Sequence, residues 1–176
     1  MIQTTTGLQM KRVIILGFMA CGKTTVGKEL ARQLNAEFID LDCFFTQQQG
    51  RSPAEMIAGD GESAFRHVET TALNELLTSS EARVVALGGG TWTIPENRTL
   101  IALHDGVTVW LDVPFDVCWQ RIVNGSETVR PLAASRDAAL NRYETRRADY
   151  ALAEHRIICT EADDQETIAV QILPLC

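Results

Sequence analysis

A chain of 176 residues suits one compact domain and leaves little room for a second. Apolar residues make up 45% of it and charged residues 22%, an ordinary globular balance that argues against extensive disorder. The formal net charge of −7 argues against a nucleic-acid partner, whose phosphates call for a basic surplus. No apolar run approaches the roughly 20 residues that span a bilayer, so no membrane role is expected. The opening residues, MIQTTTGLQMKR, lack the charged start and apolar centre of a signal peptide. Five cysteines (Cys21, Cys43, Cys118, Cys159 and Cys176) form no C-x-x-C pair and read as reduced thiols, which makes the cytoplasm the expected address.

Residues 1–10 are polar and expected to form a flexible extension, with a single domain over residues 11–176. Val13-Ile-Ile-Leu16 reads as a buried strand, and Lys23 to Leu34 places Val26, Leu30 and Leu34 on one helical face. Glu37-Phe-Ile-Asp40 reads as a second strand. Residues 63–78 read as a helix whose apolar positions are Phe65, Val68, Leu73, Leu76 and Leu77. Arg83 to Leu87 and Val107 to Leu111 follow as strands. Pro114 opens another helix, where its missing N–H is harmless. Residues 137–152 look helical, Arg156-Ile-Ile-Cys159 looks like a fifth strand, and a closing helix covers about residues 164–173. Short strands alternating with helices predict an α/β, three-layer fold: a five-stranded parallel sheet flanked by helices. Ligands of such sheets collect at the carboxyl ends of the strands.

The residues after the first strand, Gly17-Phe-Met-Ala-Cys-Gly-Lys-Thr24, fit G-x-x-x-x-G-K-[ST]. Gly17 and Gly22 permit backbone turns that aim successive N–H groups at phosphate oxygens. The helix that begins near Lys23 adds its positive dipole end. Lys23 can reach the β- and γ-phosphates, and the Thr24 hydroxyl is placed to ligate Mg²⁺. These features together imply nucleotide binding. No N-K-x-D motif of a GTPase appears.

Three further groups carry candidate chemistry, two of them at strand ends. Alternation would put Asp40 and Asp42 on one side of an extended chain, facing the cleft, although aspartates here also suit a turn or a helix cap. Arg66 falls in the first turn of its helix, where a cation opposes the dipole; it is either a carboxylate clamp or an ordinary solvated side chain. Gly88-Gly-Gly90 follows the third strand, as a close approach between backbone and ligand or as a flexible turn.

These pieces in this order resemble the shikimate kinase family of nucleoside-monophosphate-kinase-like P-loop proteins. The resemblance covers about residues 12–160. It rests on G-F-M-x-x-G-K-T at 17–24, D-x-D at 40–42, G-E-x-x-F-R at 61–66, G-G-G at 88–90, R-P-L at 130–132 and R-x-x-x-Y at 146–150. It implies ATP-dependent phosphorylation of the shikimate 3-hydroxyl, a step of aromatic amino acid biosynthesis, with ATP and Mg²⁺ as cofactors and shikimate as the small-molecule partner. A monomer is the simplest expectation. Gly17, Ala20, Cys21, Gly22, Lys23, Thr24 and Thr25 would hold the nucleotide, with Arg121 near the adenine side. Thr24 and Asp40 would serve the metal. Asp42 would bind ring hydroxyls and accept the proton of the attacking one. Arg66 and Arg146 would clamp the shikimate carboxylate beside Gly88, Gly89 and Gly90. Arg130 would belong to a lid over about residues 124–135 and join Lys23 and Asp42 in catalysis.

Two departures from the family pattern carry consequences. Ala20 stands where the family usually has glycine, a cost on the order of 1 kcal/mol if that position needs positive φ. Cys21, beside a helix N-terminus, is expected to have a lowered pKa and to be open to oxidation. Arg147 beside Arg146 leaves two candidates for the carboxylate, of which Arg146 has the family's spacing to Tyr150. The rival enzyme readings are a gluconate kinase, which would not be expected to share the F-R, triple-glycine and R-P-L set, and a nucleoside monophosphate kinase, which would want more arginines. A regulator without catalysis is disfavoured by the intact Lys23, Thr24, Asp40 and Asp42.

Overall fold

Val13–Leu16 (β1) is apolar throughout and wholly buried, as a central strand covered on both faces must be. Around it a computed structural model, which describes residues 11–125 and 135–176, builds a five-stranded sheet in the order β2-β3-β1-β4-β5, every pair parallel. The other strands are Phe38–Asp40 (β2), Val84–Ala86 (β3), Val107–Asp112 (β4) and His155–Ile158 (β5). Val13 is in register with Val84 on one side and Val107 on the other. All strands being parallel, their carboxyl ends share one edge, and the phosphate loop, Asp40, the triple glycine and Asp112 all lie there.

The helices among the described residues are Lys23–Leu34 (α1), Leu41–Gln49 (α2), Pro53–Asp60 (α3), Glu62–Ser79 (α4), Pro95–Leu103 (α5), Phe115–Asn124 (α6), Arg136–Tyr150 (α7) and Gln165–Ile172 (α8). None is long and apolar enough to cross a membrane. The strands and helices expected from periodicity are all present, with ends shifted by one or two residues. Helices α2, α3 and α5 were not apparent from the periodicity. Each of the first two is fixed by local chemistry instead. Asp40 caps α2, accepting from the backbone N–H groups of Asp42 and Cys43. Ser52 and Glu55 form a capping box on α3, with Pro53 in its first turn.

The main core wraps the sheet. A second, smaller cluster of Phe45, Met56, Phe65 and Ala72 joins α2, α3 and α4. The rings of Phe45 and Phe65 meet edge to face at 5.3 Å. Burying Phe65 fixes the rotation of α4, and so aims its neighbour Arg66.

Candidate active site

The phosphate loop leaves β1 through Gly17, whose φ of 143° and close approach to Leu111 exclude a side chain: a Cβ there would fall 2.8 Å from the Leu111 carbonyl oxygen. Gly22, at φ 102°, turns the chain into α1. Ala20 takes a left-handed conformation, φ 59°, so the strain expected of a residue in place of glycine is present. The Lys23 ammonium donates to the carbonyl oxygens of Gly17 (3.1 Å) and Phe18 (2.9 Å). Those carbonyls hold the charge at the loop, where a polyphosphate would draw it away.

A cleft of about 390 Å³ opens over this loop. Ala20, Cys21, Gly22, Lys23, Thr24 and Thr25 line it together with Asp40, Asp42, Gly89 and Arg121. Arg121 comes from α6 and reaches back to the Ala20 carbonyl oxygen at 3.4 Å. The opposite wall holds Asp163, Asp164, Gln165 and Ile168, just before and within α8, which sequence reasoning missed. Asp164 caps α8 by accepting from the Thr167 N–H, and that N-cap was the available signal. Among the described residues no three or more His, Cys, Asp or Glu side chains form a metal-binding cluster.

The acidic pair does not lie on one extended strand as expected. Asp40 ends β2 and Asp42 lies in the first turn of α2. Both still line the cleft, because the helix starts at its edge. The cap and cleft readings of Asp40 hold together: Oδ1 accepts the α2 backbone N–H groups, and Oδ2 accepts the Thr24 hydroxyl at 2.6 Å. A hydroxyl and a carboxylate side by side are the hard oxygen donors that suit Mg²⁺, which takes few protein ligands and keeps waters and phosphates as the rest.

Beside the cleft, Arg66 and Arg146 converge on Gly90. A Cβ on Gly90 would overlap the Arg66 guanidinium and fall 2.9 Å from Arg146 Nη2. One on Gly88 would fall 2.8 Å from Asp42 Oδ1. The triple glycine therefore makes room for three charged side chains. Arg66 does not fall in the first turn of its helix, as the sequence suggests, nor is it an ordinary solvated side chain. The helix begins one residue earlier, and Arg66 Nη1 donates to Glu69 (2.7 Å) while Nη2 donates to Glu62 (3.1 Å). Burial opposes the charge on Arg66, but Glu69 and then Glu62 outweigh it and hold its pKa above the usual arginine value. Glu69 is buried and also accepts the Thr91 hydroxyl at 2.6 Å. Arg146, itself buried, donates to the Gly89 carbonyl oxygen at 3.0 Å. Burial lowers its pKa; Tyr150 resists the shift, and Arg142 and Arg66 add to it by repulsion. Two adjacent guanidiniums, one of them electrostatically under-compensated, make a receptor for an anion.

Arg147 points elsewhere. It grips Asp112 at the end of β4 with two bonds, 2.6 and 2.9 Å, and donates to Tyr143 Oη. Of the two arginines, only Arg146 reaches the glycine pocket. Cys21, expected to be open to oxidation, lines the cleft with its side chain buried and its thiol packed under Gly17. Arg130 and residues 126–134 of the expected lid lie outside the described residues, as do residues 1–10.

Known proteins of similar sequence and fold point the same way. The shikimate kinase family profile matches residues 19–176. The shikimate kinase of Synechococcus elongatus is 37% identical over 96% of this chain and 87% of its own. The structure of shikimate kinase from Acinetobacter baumannii in complex with shikimate superimposes with a TM-score of 0.86 at 31% identity, over 95% of this chain and 93% of that one. The Aquifex aeolicus shikimate kinase superimposes with a TM-score of 0.78 at 31% identity, over 93% and 94%. By sequence and by fold, the chain belongs to the shikimate kinase family.

Proposed function

We propose that the chain transfers the γ-phosphoryl group of ATP to the 3-hydroxyl of shikimate, giving 3-phosphoshikimate and ADP, with the phosphate loop and the triple-glycine pocket as its two anion sites. The observation that carries the reading is the meeting of Arg66 and Arg146 over Gly90, one residue from a cleft that also holds Lys23 and Asp42.

The division of labour follows from charge. Backbone N–H groups of the loop and the start of α1 bind the β- and γ-phosphates. Lys23 leaves the Gly17 and Phe18 carbonyls to neutralise charge on the transferred group. Thr24 and Asp40 would hold Mg²⁺, which supplies charge neutralisation to the phosphate oxygens when bound. The acceptor's carboxylate takes the two guanidiniums, which fixes the ring. Asp42, held against Gly88, is then placed to accept the proton of the attacking hydroxyl. Little covalent chemistry is required; positioning and electrostatics carry the rate.

Release of ADP with a panel of acceptors tests the reading directly. Shikimate should support turnover, whereas gluconate and nucleoside monophosphates should not; turnover with either of the latter in preference would overturn it. Lys23→Ala should lower kcat by orders of magnitude. Arg66→Ala should weaken acceptor binding by about 2–5 kcal/mol and leave the KM for ATP nearly unchanged. Equal loss of both affinities would place Arg66 in the scaffold instead. Asp42→Asn should reduce turnover far more than nucleotide binding, and normal turnover would remove Asp42 from proton transfer.

A further inference from the structure

Two acidic residues hold Arg66, and their surroundings differ sharply. Glu69 is a permanent partner: its side chain is 2% exposed and it shares its oxygens between Arg66 Nη1 and the Thr91 hydroxyl. Glu62, the first residue of α4, is 44% exposed and touches Arg66 only through Nη2, at 3.1 Å. Nη2 is also the atom that a Cβ on Gly90 would overlap, and Arg146 Nη2 approaches the same point. Glu62 therefore sits on the edge of Arg66 that faces the pocket. Its other neighbour is Arg142, one helical turn before Arg146 on α7, whose Nη1 lies 3.9 Å from the same Glu62 oxygen. Arg142 forms no closer ion pair among the described residues.

We propose that Glu62 is an internal competitor for the acceptor's carboxylate on Arg66, and that Arg142 is a positioning residue that receives Glu62 when the acceptor docks. The inference rests on Arg66 and Arg146 being the acceptor clamp. An acceptor carboxylate that spans Arg66 Nη2 and Arg146 Nη2 needs the edge that Glu62 occupies. Two carboxylates cannot share it without like-charge repulsion. The exchange is nearly balanced, because a half-exposed ion pair is worth little and Arg142 offers an equivalent one within a side-chain rotation. Until the acceptor docks, Glu62 keeps the Arg66 guanidinium oriented and screens it from small anions. An acceptor that engages Arg146 as well gains a second contact that Glu62 lacks, and so displaces it.

Steady-state kinetics on wild type, Glu62→Gln, Arg142→Leu and the double variant test the exchange, with KM for shikimate and for ATP measured separately. Glu62→Gln removes the competing charge and should lower the KM for shikimate about two- to fivefold. A gain of this kind cannot come from structural damage. Arg142→Leu leaves Glu62 on Arg66 and should raise the same KM by a similar factor. The double variant should resemble Glu62→Gln, since Arg142 then has no carboxylate to receive. The KM for ATP should not move. A higher or unchanged KM for shikimate in Glu62→Gln overturns the proposal, as does no effect of Arg142→Leu in the wild-type background. An equal effect of Arg142→Leu in both backgrounds also overturns it, and means that Arg142 meets the acceptor directly. Arg66→Lys separates the two levels of the argument. If that variant leaves the KM for shikimate untouched, the clamp itself is wrong; if it raises the KM while the cycle is additive, only the exchange is wrong.

Discussion

Consecutive residues on a helix are rotated by about 100°, so Arg146 and Arg147 leave α7 in different directions and enter different environments. Arg146 goes into the glycine pocket. Arg147 meets Asp112, 35 positions away, and lies over the Trp110 ring at 5.0 Å. Arg156 grips the same carboxylate and covers the same ring at 4.9 Å. Arg146→Ala should therefore raise the KM for shikimate and leave stability nearly unchanged. Arg147→Ala should do the reverse. It should cost about 1–3 kcal/mol in urea unfolding, less than a fully broken buried pair because Arg147 is partly exposed and Arg156 remains on Asp112. If Arg147→Ala instead impairs acceptor binding at unchanged stability, the assignment of the two residues is reversed. Ala20 offers a second test at this scale. Its left-handed backbone is costly for alanine and open to glycine, so Ala20→Gly should raise the urea midpoint by an amount worth about 0.5–1 kcal/mol. A lower midpoint would show that the loop does not hold that conformation in solution. The phosphate loop was legible in the sequence because its chemistry is contiguous. The division between Arg146 and Arg147 was not, because the partner that decides it lies on a distant strand.

The elements around the triple glycine differ from those around the phosphate loop. Strands β1 and β3 are buried apolar runs and β4 is mostly one, and such runs declare themselves in sequence. Helices α2 and α3 are short and held mainly by caps, so their periodicity is weak even though they form the second cluster with α4. Asp40 already suited a helix cap in the sequence, whereas the Ser52-Pro-Ala-Glu55 box was not read there, because a capping residue serves turns as readily as helices and does not by itself specify either. The consequence is measurable. Ser52→Ala should cost about 1 kcal/mol, because it removes one half of the capping box. The backbone N–H of Ser52 first, and its hydroxyl second, hold the Glu55 carboxyl below its usual range. A depressed folded pKa contributes stability above the unfolded value of about 4.3 and loses it as pH falls through the folded value. The gap between Ser52→Ala and wild type should thus be widest near neutrality and narrow in acid. A gap that widens in acid would contradict the capping geometry. The same reasoning explains the misread D-x-D pair: alternation was the right rule for a strand, but Asp40 ended the strand by capping a helix.

Across the whole molecule, the parallel sheet gathers one edge of strand ends and the helices supply two different walls above it. The loop, α1, Arg121 on α6 and residues 163–165 line the cleft proposed for the nucleotide. Helices α4 and α7 bring Arg66 and Arg146 together from positions 80 residues apart in the chain, and they meet over a glycine at the end of β3. Stability should report this partition. A ligand that binds only the folded state stabilises it by mass action, about 2.7 kcal/mol at a concentration 100 times its Kd. ADP and shikimate should each raise the Tm of the wild-type chain if, as proposed, each binds its own preformed wall. In Gly90→Ala the new methyl group would occupy the point where both guanidiniums converge. Arg66 cannot simply retreat, because Glu69 is buried and holds it through Thr91 and α4. The shift with ADP should survive in that variant and the shift with shikimate should vanish. Loss of both shifts would mean that the two walls form one cooperative site, and survival of both would mean that the acceptor binds away from the triple glycine.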